Sequence, residues 1–254
     1  MLAIVSSSKT SEQIEKEKQA VAQAAVRYVH SNMLLGLGSG STANYFLGFL
    51  AERIRSAELK IEAVASSLHT AARAKELGIA VYEPRRGVRV DLTIDGADEI
   101  APDLSLIKGA GGALLREKVV AHASRHFLVI ADSSKRVAQL GRRRVPVEVT
   151  PFATPWVMDD IEELGGNPLL RMDESRPDRP YMTDQQNQLL DCDFGLIRDA
   201  HDLAAQLKTI PGIVEHGLFL DLATAALIAD RDDIVVLRAG HPPAGLSQSD
   251  IAFD

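Results

Sequence analysis

Three short segments gather residue types that could do chemistry. Asp95-Gly96-Ala97-Asp98-Glu99 closes an apolar run and sets two carboxylates three residues apart, with only small residues between them. Both can face one cleft, and carboxylates held that close push their pKa values apart, which suits proton transfer. An acidic turn that caps the next element is the plainer alternative. Further on stands Lys108-Gly109-Ala110-Gly111-Gly112-Ala113-Leu114-Leu115-Arg116-Glu117-Lys118. Here a lysine could neutralise an oxyanion beside loop N–H groups, and Glu117 could act as a general base in a dry pocket. A surface glutamate paired with Arg116, Lys118 or a residue one turn away is the competing reading.

The third segment is Gly36-Leu37-Gly38-Ser39-Gly40-Ser41-Thr42, between an apolar run and a helical pattern. Glycines let the backbone approach a ligand, and the helix that follows offers free N–H groups and the positive end of its dipole. Ser39, Ser41 and Thr42 add hydroxyl donors. A nucleotide P-loop would need Gly-Lys-Ser/Thr, and no lysine is present. A dinucleotide fingerprint is formally matched by Gly38, Gly40 and Ala43, but the next strand tip, where an acid is needed, reads Ser66-Ser67. A small phosphate or polyol site and a plain tight turn with a helix cap both stay open for this loop taken alone.

For these segments to meet, a scaffold has to bring them to one edge. Thr10 and Gln13 have the spacing of a capping box, and Ile14, Val21, Ala24, Ala25 and Tyr28 then fall on one helical face. Strands are expected at Met33–Leu37, Ile61–Ala65, Ile79–Tyr82, Val90–Asp95 and Phe127–Ala131. Helices are expected through Tyr45–Leu50, over Leu68–Leu77 and from near Ala113. This alternation implies an α/β fold: an open, mostly parallel, Rossmann-like sheet with helices on both faces and ligands at its carboxyl edge.

After Arg142-Arg143-Arg144, read as a solvated linker face, the rhythm changes. Strand Val145–Thr150, helix Trp156–Leu164, strand Leu169–Met172, strand Tyr181–Thr183 into Leu189–Phe194, helix Asp199–Leu207 and strand Ile213–Leu220 fit a small α+β ferredoxin-like domain. Asp184–Asn187 reads as its hairpin turn, and Ile234–Arg238 returns to the main sheet. The expected division is a catalytic domain of residues 11–144 with 221–238, a small domain of 145–220, and flexible termini at 1–10 and 239–254. Trp156 is expected to anchor a helix, and Cys192 to pack on an apolar strand.

Bulk properties narrow the function. The 254 residues are 46% hydrophobic and 25% charged, an ordinary globular balance with room for a large core. A net charge of −7 gives no general attraction for nucleic acid or an anionic membrane. No run approaches the roughly 18 apolar residues that span a bilayer. A single cysteine excludes an internal disulfide and a cysteine cluster for a metal, and fits the cytoplasm.

Together the three segments resemble type A ribose-5-phosphate isomerases, a family marked by a Gly-x-Gly-[ST]-Gly-Ser-Thr loop, an Asp-Gly-Ala-Asp-Glu strand end and a Lys-Gly-x-Gly-x-Ala-Leu-x-Arg-Glu-Lys segment. The resemblance continues through Ala131-Asp132-Ser133-Ser134-Lys135, Pro146-Val147-Glu148-Val149, Pro211-Gly212-Ile213-Val214 and Gly217-Leu218-Phe219, covering residues 13 to 238. Ser39 stands where threonine is more usual, Ala110 where glycine is, and Gln185-Gln186 in a turn that often carries Asn-Gly.

The resemblance implies interconversion of ribose 5-phosphate and ribulose 5-phosphate through an enediolate, in the non-oxidative pentose phosphate pathway, with no metal or organic cofactor. It implies Glu117 as the base, Asp95 as the group assisting ring opening, and Asp98 and Lys108 as managers of charge and protons at O1 and O2. Ser39, Gly40, Ser41, Thr42, Asp95, Gly96, Ala97, Asp98, Lys108, Gly109, Ala110, Gly111 and Lys135 are expected to line the sugar-phosphate site. A homodimer joined through the small domain is also expected. A non-catalytic sugar-phosphate sensor on the same scaffold is the alternative, but a sensor has no need of a base, two carboxylates and a lysine together. Related folds include sugar-phosphate deaminases and CoA transferases; the latter need a nucleophilic glutamate in a different motif.

Overall fold

Strands buried on both faces carry apolar side chains at every position, and Phe127-Leu128-Val129-Ile130-Ala131 is such a run. In a computed structural model of the protein, which describes residues 9–56, 59–246, 251 and 253, this run is the middle of a central strand. In chain order the elements are α1 (Ser11–Ala25), β1 (Leu34–Leu37), α2 (Ser41–Arg55), β2 (Glu62–Ala65), α3 (Leu68–Glu76), β3 (Val90–Asp95), β4 (Glu99–Ile100), β5 (Leu106–Ile107), α4 (Leu114–His122), β6 (Ser124–Asp132) and β7 (Val145–Val149). They continue as α5 (Thr154–Glu163), β8 (Asn167–Leu170), β9 (Met172–Asp173), β10 (Arg176–Pro180), β11 (Gln188–Asp193), α6 (Ala200–Thr209), β12 (Ile213–His216), β13 (Leu218–Phe219), β14 (Ala225–Asp230), β15 (Asp233–Leu237) and β16 (Ala244–Gly245).

The main sheet has the order β16-β15-β14-β6-β3-β1-β2. Strands β14 through β2 run parallel, and β15 and β16 add an antiparallel edge. Alternation sorts its side chains: Leu128 and Ile130 pack with Leu35, Leu37, Leu92, Ile94 and the helices α1 and α2 on one face. Phe127, Val129 and Ala131 pack on the other, with α4 and the short sheet β13-β5-β4. Because β1 lies between β2 and β3, strand order reverses there, and a crevice opens beyond the carboxyl ends of β1 and β3. Both ends carry sequence motifs: Gly38-Ser39 after β1 and Asp95 at the tip of β3.

Residues 145–216 form a βαββαβ unit whose antiparallel sheet has the order β12-β7-β11-β8, the ferredoxin-like arrangement. Val147, Val149, Val157, Ile161, Leu190, Cys192 and Leu207 fill its core.

The structure departs from the sequence reading in several places. The expected strand Ile79–Tyr82 reduces to one bridge, Val81 to Ala63. Ile213–Leu220 is two strands, because Gly217 turns the chain: its N–H donates to the Pro146 carbonyl at 2.7 Å, and a Cβ there would lie 2.3 Å from the Lys108 carbonyl oxygen. Strand β14 is absent from the sequence reading, although it is buried between β6 and β15. Parts of the ends expected to be flexible have defined contacts among the described residues. Thr10 caps α1 with both bonds of a capping box, and Ala244–Gly245 pairs with β15. Ile251 is buried, and Phe253 packs edge-on against Tyr28. The rest of the expected flexible ends, residues 1–8, 247–250, 252 and 254, lies outside the described residues.

One buried carboxylate, Glu17 of α1, ties three segments together. It accepts from the Arg231 N–H at 2.8 Å, the Ser133 N–H at 3.1 Å, the Ser133 hydroxyl at 3.0 Å and the Lys9 ammonium. Removing it leaves two backbone N–H groups without their acceptor, so Glu17→Ala is expected to cost about 3 kcal/mol of stability. Urea unfolding followed by circular dichroism reads this directly; a loss under about 1 kcal/mol would show that the clamp contributes little.

Candidate active site

The first glycine loop is shaped by what lies beneath it. Gly38 donates its N–H to the Ile94 carbonyl at 3.0 Å, and a Cβ on Gly38 would sit 2.2 Å from Asp95 Oδ1. Gly40 has φ 90° and ψ −178°, a backbone that side chains avoid, and it is the residue from which α2 starts. Among the described residues no side chain caps α2, which leaves its first N–H groups free for a ligand beside the exposed Ser41 and the buried Thr42.

Ser39 points elsewhere. Its hydroxyl lies 2.9 Å from Ser66 Oγ, 3.0 Å from Ser67 Oγ and 3.1 Å from Thr70 Oγ1. Thr70 in turn donates to the Gly38 carbonyl at 3.1 Å. Ser66-Ser67, which in the sequence served only to argue against a nucleotide acid, therefore clamps the loop. Its signal was available as hydroxyls at a strand tip followed by the N-cap of α3, but the pairing of β1 with β2 was needed to read it.

Beyond β3 the charges converge. Asp95 is 1% exposed; its Oδ1 accepts from the Ser39 and Gly96 N–H groups at 2.9 and 2.7 Å, and its Oδ2 lies 3.0 Å from Lys108 Nζ. Lys108, 2% exposed, also donates to the Gly96 carbonyl at 2.6 Å and stands 3.5 Å from Glu117 Oε1. Glu117, 6% exposed, sits in the first turn of α4, and its Oε2 is buried with no hydrogen-bond partner among the described residues. The surface-pair reading of Glu117 fails, because Lys118 turns away to bind Glu215 at 2.7 Å.

Burial dominates the titration of this cluster. It pushes the Glu117 carboxyl up to about 8; Lys108 pulls the other way, and Asp95 and Asp98 add to the rise. Burial also raises Asp95 above the ordinary carboxylate range, against the pull of Lys108 and two N–H donors. For Lys108 burial works against the charge, but Asp95 and Glu117 outweigh it and its ammonium holds its proton more firmly than usual. This arrangement favours a protonated lysine facing a carboxyl raised to about 8.

The remaining expected residues fall around this core. Asp98 is half-buried and accepts from the Ala110 N–H at 3.0 Å, which joins the acidic strand end to the second glycine loop. Gly109 has φ 101° and stacks on Leu114; Gly111 is exposed. Lys135 is half-buried on a single turn directly after β6 and makes no ion pair among the described residues. A cleft of about 1040 Å³ opens beside Asp98, Ala110 and Gly111, walled by Arg142–Arg144 and by Arg171 of the small unit; Asp95, Lys108 and Glu117 lie off its lining.

Other expectations divide. Cys192 is buried on β11, with its thiol pushed up by burial, as packing requires. Trp156 does not anchor its helix: it is 61% exposed and packs edge-on against the exposed Phe152 ring. His122 and His126 have four-residue spacing, but α4 ends at His122 and β6 begins at Ser124, so the two share no helix face.

The chain is similar to known proteins over most of its length. The family profile described as ribose 5-phosphate isomerase A (phosphoriboisomerase A) matches residues 62–233. The chain is 48% identical over 224 residues to a ribose-5-phosphate isomerase A of Roseiflexus sp. (strain RS-1), covering 87% of this chain and 95% of that one. A Synechococcus sp. (strain JA-3-3Ab) protein of the same name is 48% identical over 223 residues, covering 87% and 96%. Among solved structures, a D-ribose-5-phosphate isomerase in complex with phospho-erythronic acid has a TM-score of 0.86 at 33% identity, covering 89% of this chain and 99% of that one. Ribose 5-phosphate isomerase from Plasmodium falciparum has a TM-score of 0.85 at 34% identity, covering 89% and 100%.

The close approach at Gly38 yields a stability prediction. Gly38→Ala forces a methyl group into the Asp95 carboxyl and is expected to cost about 3 kcal/mol. Gly111→Ala, with open space around it, should stay within about 0.5 kcal/mol of the parent. Equal denaturant midpoints for the two variants would contradict the contact.

Proposed function

The chain belongs to the ribose 5-phosphate isomerase A family, and from that premise we propose how its own residues interconvert ribose 5-phosphate and ribulose 5-phosphate. The observation that carries the assignment of roles is Glu117: a buried carboxyl with one oxygen beside Lys108 and the other without a hydrogen-bond partner among the described residues. A base that takes a proton from carbon needs a free oxygen, a dry setting and a pKa near the working pH.

The open-chain aldose has its carbonyl at C1 and an acidic C–H at C2. Glu117 Oε2 removes the C2 proton, the electron pair forms the C1–C2 double bond, and charge moves onto O1. The Lys108 ammonium, held in place by Asp95 and the Gly96 carbonyl, stabilises that oxyanion without any reorganisation of solvent. Glu117 returns the proton to C1, and the hydroxyl proton of O2 passes to O1 through Asp98 and Lys108, which leaves the ketone at C2. One base serves both carbon steps, so the proton stays on one face.

Ring opening by Asp95 has to use Oδ2, since Oδ1 is taken by two backbone N–H groups. The phosphate goes to the uncapped start of α2 with Ser41 and Thr42, while Ser39 works through the loop it stiffens. Lys135 adds a positive charge near the same edge. The acid group of a phosphorylated sugar acid, like the one in the solved relative, resembles the O1–C–O2 face of an enediolate and would meet Lys108. The exposed Phe152–Trp156 pair on the small unit supports a homodimer joined through that unit. Among the described residues no helix is long and apolar enough to cross a membrane, and a buried free cysteine fits a cytoplasmic enzyme.

Incubation with ribose 5-phosphate in heavy water, after EDTA treatment, tests the roles. The parent is expected to form ribulose 5-phosphate with some deuterium at the exchanging carbon. Glu117→Gln, which keeps the shape and loses the base, is expected to slow turnover by roughly three orders of magnitude or more. A fully active Glu117→Gln enzyme would remove Glu117 from the base role. Binding of the sugar phosphate with no turnover by the parent would favour a sensor.

A further inference from the structure

The second glycine loop has a constraint that neither motif nor family resemblance assigns. Residues 109–112 hold three glycines, with φ 101° at Gly109 and 85° at Gly112. Such a backbone has many alternatives and has to be ordered by its neighbours. Ala110 is held from two sides. Its N–H donates to Asp98 Oδ2 at 3.0 Å, and its carbonyl accepts from Arg171 Nη1 at 2.9 Å. These groups belong to different peptide planes, so the two bonds together fix both dihedral angles of Ala110.

We propose that Arg171, on the small unit, is a positioning residue for the isomerase reaction: its guanidinium holds the Ala110 carbonyl and so sets the loop that joins Lys108 and Asp98. Arg171 is itself aimed. Its Nε and Nη2 form a fork on Asp191, at 2.8 Å to Oδ2 and 2.5 Å to Oδ1, which leaves Nη1 directed at the loop. Lysine has no such planar fork and cannot hold a carboxylate and a carbonyl in fixed relative directions. Tyr181 completes the frame. Its N–H donates to the Arg171 carbonyl at 2.9 Å, and its ring roofs Gly112, where a Cβ would lie 2.4 Å from the phenol oxygen. An exposed Arg–Asp pair alone would contribute little. Here the pair's third donor crosses to the catalytic loop, and this links the small unit to the chemistry.

This inference rests on the isomerase reading of the site, and turnover by the unaltered protein tests that reading separately. The full-length Arg171→Ala and Arg171→Lys variants are assayed for kcat, KM and melting temperature, with and without non-denaturing guanidinium chloride. Arg171 lines an open cleft, so a guanidinium ion can enter the space left by the side chain. Arg171→Ala is expected to lose about 30-fold in kcat with KM within about threefold, the pattern of misplaced catalytic groups. Guanidinium should restore part of kcat where sodium chloride at equal ionic strength does not, and Arg171→Lys should stay impaired despite its charge. If Arg171→Ala does not fold, Arg171→Met and Arg171→Lys read the same split between kcat and KM. A kcat within about twofold of the parent, or a loss confined to KM or melting temperature and unmoved by guanidinium, would overturn the proposal.

Discussion

Lys108 brings a positive charge to a position only 2% exposed, and the groups around it answer to that charge. An ammonium taken from water is tolerated only where carboxylates and carbonyls replace its hydration shell. Asp95 and the Gly96 carbonyl do so at 3.0 and 2.6 Å, and Glu117 waits at 3.5 Å. One cation cannot fully satisfy two carboxylates in so dry a place. Asp95, with two backbone N–H groups of its own, has the better claim, and the imbalance falls on Glu117. Burial raises the Glu117 carboxyl first of all; Lys108 opposes the rise, Asp95 and Asp98 add to it, and Oε2 has no hydrogen-bond partner among the described residues.

The fold serves this crowding from several directions. Reversal of strand order at β1 opens the crevice, and Gly38 lets β1 pass over Asp95 closely enough for the Ser39 N–H to reach it. Strand β13 returns from the small unit to pair with β5, and the Lys108 N–H donates to the Gly217 carbonyl at 2.9 Å. The Phe219 ring lies beneath both Lys108 and Lys118, at 5.5 and 4.9 Å, so the same segment locates Lys108 and the helix of Glu117. The small unit is therefore part of the frame of the site although it supplies none of the clustered carboxylates.

Much of this was legible in the sequence, and the limits have physical causes. Strand β3 was bounded correctly because it is a continuous apolar run ending at an Asp-Gly step. The residues Asp95, Asp98, Lys108 and Glu117 stood out by type, but only packing reveals which oxygen of Glu117 lacks a partner. Strand β14 escaped notice because Ala225, Ala226 and Ala229 have little intrinsic preference for strands; burial between β6 and β15 decides its state. Ser66, Ser67 and Arg171 act across long sequence separations, so their roles appear only when β1 pairs with β2 and the small unit docks. Trp156 misled for the opposite reason: a large aromatic side chain is normally buried, and here it is exposed.

Burial beside a shared lysine makes Glu117 a carboxyl that exchanges its proton near pH 8. Isotope-edited infrared or carbon NMR of labelled glutamate, with the Glu117 signal assigned by its loss in Glu117→Gln, measures this in the ligand-free protein. The Glu117 carboxyl is expected to titrate near 8 and to move higher in Lys108→Met, where the charge that lowers it is gone. Titration near the ordinary glutamate value of 4.5, unmoved by Lys108→Met, would contradict it.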